Sequence, residues 1–124
     1  MSVVYSEELF PEASKVDIAR TKTYLKKFVK MKKALEDFEQ NPPETEKQRN
    51  EQAKWKRIVR NIERAKEQIL QYDVSVVIEY RFIKGNSRAA TILRFSSWGC
   101  CDKTIDRKIE EGTISIANTL KYLE

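Results

Sequence analysis

Apolar residues recur at every third or fourth position near the end of the chain. The series comprises Ile105, Ile109, Gly112 or Thr113, Ile116 and Leu120. Because an α-helix completes a turn in 3.6 residues, this spacing aligns the series along one helical face. Asp102 is a candidate N-cap or first-turn acid, and Gly99 marks a turn after a shorter preceding helix. The spacing therefore predicts a helix that starts near residue 102 and is anchored by one face.

Few residues in the sequence favour sharp turns. Only three Gly and three Pro occur among 124 residues, whereas 35% of the residues are charged. An all-β fold needs many turns, and a high share of charge is typical of long solvated helices. We therefore expect an all-α protein, with an N-terminal helical arm for oligomerisation over residues 1–55 and a second domain over residues 56–124.

Two amphipathic patterns flank a proline-rich connection in the first half of the chain. The first pattern lies within residues 16–40 and alternates by four and three, as in a heptad seam: Tyr24, Phe28, Met31, Leu35 and Phe38. Pro42 and Pro43 end that helix, and a second pattern becomes regular from Lys54. The two helices form either an antiparallel hairpin or a coiled coil with another subunit. We favour an oligomer, because a narrow apolar seam in a small protein is often covered by a second copy.

The segment of residues 72–85, YDVSVVIEYRFIKG, fits two kinds of structure. Its many β-branched and aromatic residues favour a strand. Helical spacing also fits, with Asp73 as the cap and with Val74, Val77 and Ile78 on one face. A lone strand would have no partner strand elsewhere in the chain. We therefore expect a helix that ends at Gly85, after which Ser87 caps the next helix.

The net charge of +5 favours anionic partners and is unevenly distributed. Residues 16–40 carry seven Lys or Arg against four Asp or Glu, and residues 54–71 carry six against two. Residues 87–124 are nearly neutral, with six against five. The lysines of the first helix are either a solvated face or a stripe that contacts phosphate. Most of the excess positive charge therefore lies within residues 16–40 and 54–71, ahead of the nearly neutral C-terminal segment.

Cysteine and histidine usage disfavours several kinds of site. Cys100 and Cys101 are adjacent, which disfavours a disulfide between them, and no His is present. We expect free thiols in a reducing cytoplasm, no metal and no cofactor. The sequence has no G-x-S-x-G and no phosphate-binding glycine loop, so we expect no enzyme. It also has no apolar run of 18 residues and no apolar N-terminal run like that of a signal peptide, so we expect no membrane partner.

Two short motifs resemble a known group of regulators. RFIKGNS at residues 81–87 and DKTIDRK at residues 102–108 stand on either side of the predicted short helix. This order resembles the C-terminal helix-turn-helix of sigma-70 region 4 and, with the arm in front, the phage-encoded regulators of the ArpU/RinA type. The resemblance covers residues 56–122. It implies a trihelical helix-turn-helix unit that binds double-stranded DNA and activates late phage genes beside RNA polymerase.

The resemblance also implies a set of DNA-contacting residues. Lys103, Thr104, Arg107 and Lys108 correspond to the exposed N-terminal part of the recognition helix, and Ser87 and Arg88 to the start of the preceding helix near the DNA backbone. Arginine can donate two hydrogen bonds to guanine, but Arg107 is equally placed to pair with Glu110 or Glu111 on the same helix. We expect Trp98 to be a core residue rather than one that stacks on a ligand, and Trp55 to pack within the arm.

Two other functions fit the same sequence features. One is a phage DNA-packaging subunit, like a small terminase, that recognises the genome end and assembles through its arm. The other is a helical adaptor that binds RNA polymerase or a sigma factor. A ring of many subunits is expected of the first, and a lack of salt-dependent DNA affinity is expected of the second.

Overall fold

The fold is built from helices alone over the part of the chain that is described. A computed structural model describes residues 9–99 and 101–124, and no strand occurs within those residues. The prediction of an all-α protein is confirmed, and residues 72–83 are helical rather than extended. None of the helices in these two ranges is long and apolar enough to cross a membrane.

The first helix, α1, spans Lys15–Gln40 and begins at a capping box. The Ser14 hydroxyl accepts a hydrogen bond from the Asp17 backbone N–H at 3.2 Å, and the Ser14 backbone N–H donates to the Asp17 carboxylate at 2.9 Å. These two bonds satisfy donors that a helix start otherwise leaves unpaired. Asn41 follows the helix, and the two prolines after it prevent its continuation.

The second helix, α2, spans Glu46–Glu67, begins after the Thr45 cap and packs against α1. The Phe38 and Trp55 rings stack with their centroids 6.2 Å apart. Nearer the opposite end of α2, the Lys32 ammonium lies 3.4 Å from the Glu63 carboxylate. Because falling residue numbers on α1 meet rising numbers on α2, the two helices run antiparallel.

The third helix, α3, spans Tyr72–Ile78 and continues as a π-helical turn over Glu79–Ile83. Asp73 does not cap it: the N-cap is Gln71, which makes no side-chain capping bond, and Asp73 lies within the first turn. Gly85 then adopts a φ of 76°, a conformation that favours glycine. A Cβ at this position would also lie 2.8 Å from a methyl carbon of Val29. The turn after α3 therefore requires glycine for two reasons.

Two further helices complete the described chain. Helix α4 spans Arg88–Arg94 and is followed by a 3₁₀ turn over Ser96–Trp98 and by Gly99, whose φ is 71°. Helix α5 then spans Asp102–Leu123, with Asp102 as its first-turn acid. The expectation that Trp98 is a core residue is wrong, because 42% of it is exposed. Its ring lies at the edge of the core, 4.7 Å from the centroid of Phe95.

Helix α5 runs through the centre of the core. The main apolar cluster joins Phe28 of α1, Ile62 of α2, Ile78 of α3 and Ile116 of α5, all of them fully buried. Gly112 brings α5 and α3 close together, since a Cβ there would lie 2.2 Å from a side-chain carbon of Ile78. Residues on both sides of position 55 thus share one core, and the division of the chain at that position stays a prediction.

Candidate nucleic-acid interface

The N-terminal end of α5 is fixed from one side and solvated on the other. Ile105 is fully buried against Val77 and Phe95, which form a second small cluster. Lys103 and Arg107 lie on the exposed side. Since two turns of the helix are held by this packing, the two cations project from a rigid element.

Arg107 is an exposed cation near the start of α5, and it lies close to a carboxylate on the same helix. Its side chain is 69% exposed, and its Nε lies 3.8 Å from Glu111 Oε1. That distance is longer than a hydrogen bond, so the guanidinium N–H groups are not committed to the carboxylate. Exposed ion pairs of this kind contribute little to the free energy of unfolding. The ion pair between Arg107 and Glu111 is therefore present, but it contributes little to the stability of the helix.

Arg88 is held by a carboxylate of α5. Its Nε and one terminal nitrogen donate to the two oxygens of Asp106, each at 2.7 Å. This bidentate pair raises the pKa of Arg88 and lowers the pKa of Asp106. Ser87 is similarly engaged, because its hydroxyl accepts from the Ala90 backbone N–H at 3.0 Å and caps α4. The start of α4 is thus tied down both locally and to α5.

Lys108 does not lie on the exposed surface, contrary to the sequence-based expectation. Its side chain is only 14% exposed, and its ammonium donates to the carboxylate of Asp73 on α3. This hydrogen bond is the largest cause of the lowered pKa of Asp73. Lys108 therefore joins α5 to α3, and in this position it does not face a ligand on the surface.

Thr104 contacts the residue that precedes α5. Its hydroxyl oxygen lies 3.4 Å from the sulfur of Cys101, which is exposed and free. Hydrogen bonds from the hydroxyl and the backbone N–H of Thr104 lower the pKa of the Cys101 thiol. Cys100, the other half of the predicted pair of free thiols, lies outside the described residues.

The six predicted contact residues thus divide into three sets. Lys103, Thr104 and Arg107 lie together on the first two turns of α5. Ser87 and Arg88 lie at the start of α4, where Ser87 caps the helix and Arg88 is bonded to Asp106 of α5. Lys108 points to α3.

A second charged surface lies on α2, and the sequence analysis did not single it out. We refer to it as the α2 arginine face, and it consists of Arg49, Lys56, Arg57, Arg60 and Arg64, all of them exposed. These positions follow Arg49 by 7, 8, 11 and 15 residues, which correspond to whole turns of a helix. A helical projection of the sequence would have shown that these five cations share one side of α2. The charge counts pointed only to an excess of six Lys or Arg over two Asp or Glu within residues 54–71.

A shallow groove of about 310 Å³ lies between α1 and α2. Its floor is mainly apolar and includes Met31, Trp55 and Ile58, while Lys27, Lys30 and Lys54 also line it. Trp55 is half-buried there, as a packing residue of the two helices.

No three His, Cys, Asp or Glu side chains within residues 9–99 and 101–124 come together as a metal site would require. Comparison of the chain with protein-family models, with curated proteins and with solved structures gives no match. The function is therefore argued from the surfaces described above.

Proposed function

We propose that this protein is a sequence-specific DNA-binding regulator of transcription, in which α3, α4 and α5 act as a trihelical helix-turn-helix unit. The observation that carries the proposal is the exposure of Lys103 and Arg107 at the start of α5, a helix whose other face is buried. The left-handed Gly99 between α4 and α5 supports the same assignment. A helix held by its apolar face, with cations in its first turns, suits insertion into a major groove.

The proposed contacts differ in kind. Arg107 reads a guanine through two N–H donors, and Lys103 contacts a phosphate. Thr104 is half-buried and contacts a base or a phosphate beside them. Arg88 has its guanidinium directed at Asp106, so it meets DNA only through its remaining N–H donors. Lys108 is assigned a positioning role, because its ammonium is bound by Asp73.

The biological setting of the proposal comes from the resemblance to the ArpU/RinA-type regulators. It comprises activation of late phage genes beside RNA polymerase, with self-association through the α1–α2 arm. A dimer of this kind would place two recognition helices in successive major grooves. Light scattering tests the oligomer, with a dimer as the expected result.

The decisive test is selection of the preferred duplex from a random pool, followed by measurement of Arg107→Ala on the selected and on unrelated duplexes. We expect a loss of about 1–3 kcal/mol on the selected site and relaxed preference at one base pair. Arg20→Ala is the matched control, since Arg20 is an exposed arginine that lies near the opposite end of α5, beside Asp17 and the C-terminal turn. Equal loss on all duplexes would make Arg107 a phosphate contact, and failure to select any sequence would refute the proposal.

A second candidate function is that of a helical adaptor, and the groove between α1 and α2 favours it. An apolar floor that contains Met31 and Trp55, with lysines beside it, is complementary to an acidic amphipathic helix. Isothermal titration with such a peptide tests this function. Binding that is lost in the double variant Lys27→Glu, Lys54→Glu would support it, while no binding, or binding that the double variant leaves unchanged, would exclude it.

A further inference from the structure

The α2 arginine face points directly away from the core. The opposite side of α2 carries Ile58, Ile62 and Ala65, all buried. Between Arg49 and Arg64 the outward arc holds five cations, with Ala53 as the small residue among them. Its length is about 22 Å, from 15 residues at 1.5 Å each. This is an extended basic strip on a rigid helix.

The fold makes almost no use of these charges. Within residues 9–99 and 101–124, Lys56, Arg57, Arg60 and Arg64 take part in none of the ion pairs. The nearby Glu63 turns to Lys32 of α1 at 3.4 Å instead. Arg49 is also absent from these ion pairs, so none of the five cations has a carboxylate partner within the described residues.

The spacing of these like charges lowers the intrinsic stability of helix α2. Lys56 and Arg60 are four residues apart, as are Arg60 and Arg64, and like charges at that spacing repel each other. None of these three cations forms an ion pair with a carboxylate of the described chain. A bound polyanion would offset it, and the exposed strip is therefore organised for an external anion rather than for the fold.

The side-chain chemistry favours phosphate as that anion. Four of the five cations are arginines, whose planar fork donates two parallel hydrogen bonds to a phosphate. Ala53 leaves a hollow bounded by Lys56, Arg57 and Arg60, which gives a backbone room to approach. The strip carries no aromatic side chain on which unpaired bases could stack. These features fit the backbone of a duplex better than a single strand.

We propose that the α2 arginine face binds the phosphate backbone of double-stranded nucleic acid without reading its sequence. The proposal does not rest on the helix-turn-helix assignment, because it uses neither Lys103 nor Arg107. A protein that reads bases through α5 would gain affinity from such a surface, and a protein that reads none would still bind duplexes through it.

The test compares two triple variants of the full chain on random-sequence DNA and RNA duplexes across a salt series. The first, Arg57→Gln, Arg60→Gln, Arg64→Gln, removes three charges from the α2 arginine face. The control, Lys26→Gln, Lys27→Gln, Lys33→Gln, removes three exposed charges from α1. Each lost phosphate contact lowers the salt slope by about 0.9 on B-DNA, so the α2 variant should lose about 2 to 3 units. It should also bind every duplex at least about tenfold more weakly at low salt.

Two further arms make the outcome decisive. The variant Arg57→Lys, Arg60→Lys, Arg64→Lys keeps the charges and should retain most of the slope, which separates loss of phosphate contacts from loss of folding. Equal losses in the α2 and α1 Gln variants would overturn the proposal, because net charge alone would then explain them. So would intact duplex binding by the α2 Gln variant combined with lost binding to phosphatidylserine vesicles. Neither outcome bears on base reading by Arg107, which is tested separately by site selection.

Discussion

The two basic surfaces of this protein differ in how far the fold uses their charges. At the start of α5 and α4, Arg88 and Lys108 pair with carboxylates of the chain, and Arg107 lies near another. On the α2 arginine face, none of the five cations has such a partner within residues 9–99 and 101–124. The two surfaces carry similar residue types, so the difference arises from the position of the acids.

The difference predicts separate roles in stability and in binding. Charges that pair within the fold support its geometry, and removal of one partner leaves the other without its hydrogen bond. Charges without internal partners affect stability little and are available to an external anion. Substitution of the paired cations Arg88 and Lys108 should therefore lower stability, whereas substitution of the exposed Lys103 and Arg107 should alter DNA binding. Substitutions on the α2 arginine face should alter affinity and change stability only slightly.

The largest expected effect is on the contact that holds α5 against α3. Gly112→Leu should destabilise the protein by about 3 kcal/mol, because even a Cβ at this position would overlap Ile78. Urea unfolding followed by circular dichroism measures the change. Glu111→Leu is the control, since Glu111 is the exposed neighbour on the same helix. An unfolding midpoint no lower than that of the control would contradict close packing of α3 on α5.

A smaller loss is expected when Lys108 is replaced. Lys108→Gln should cost about 1 kcal/mol, because a mostly buried ammonium that holds Asp73 is lost. Lys103→Gln, an exposed lysine five residues earlier, should leave the unfolding midpoint unchanged. Identical midpoints for the two variants would show that the Lys108–Asp73 pair does not support the fold.

The same pair has a signature in the pH dependence of stability. The pKa of Asp73 lies below its ordinary value of 3.8 in the folded protein. Its contribution is therefore present above pH 3.8 and is lost as the pH falls through the lower, folded pKa. Lys108→Gln should flatten this acid limb in urea titrations at pH 2 to 5. An unchanged limb would assign the acid sensitivity to other carboxylates.

The smallest expected effect is a gain. Arg60→Gln should raise stability by a few tenths of a kcal/mol at low salt, because it relieves repulsion from Lys56 and Arg64. The gain should vanish in 1 M salt, where the charges are screened. Lys33→Gln on α1 is the control. A loss of stability at either salt concentration would indicate that Arg60 has an internal role.

Periodicity predicted most of the helices because local spacing and caps determine them. The boundaries at Ser14, Asn41 and Ser87 follow from capping chemistry and from proline. The start of α5 has no side-chain cap and is marked in the sequence only by Gly99 and the first-turn acid Asp102. The position of Lys108 could not be predicted in this way, since its partner Asp73 is 35 residues away and is brought near only by the packing of α3 on α5. The exposure of Trp98 has the same origin, because the buried ring at that turn is Phe95.

The π-helical turn over Glu79–Ile83 also had no signal in the sequence. The backbone N–H of Lys84 donates to the Glu79 carbonyl at 2.9 Å, one residue further back than in an α-helix. The α2 arginine face, by contrast, was accessible from the sequence. Its positions share one side of any helix that spans them, and only the absence of carboxylate partners required the structure.

The most direct test of these separate roles is a binding matrix of two variants on two duplexes. The variants are the α2 triple change, Arg57→Gln, Arg60→Gln, Arg64→Gln, and the α5 double change, Lys103→Ala, Arg107→Ala. The duplexes are a selected site and a random one, measured at the same salt concentration. We expect the α2 variant to bind both duplexes more weakly by the same factor. We expect the α5 variant to bind the selected duplex and the random duplex with similar affinity. If the two variants lose affinity for both duplexes to the same extent, or if neither variant loses affinity for either duplex, the assignment of backbone contact to α2 and base reading to α5 is wrong.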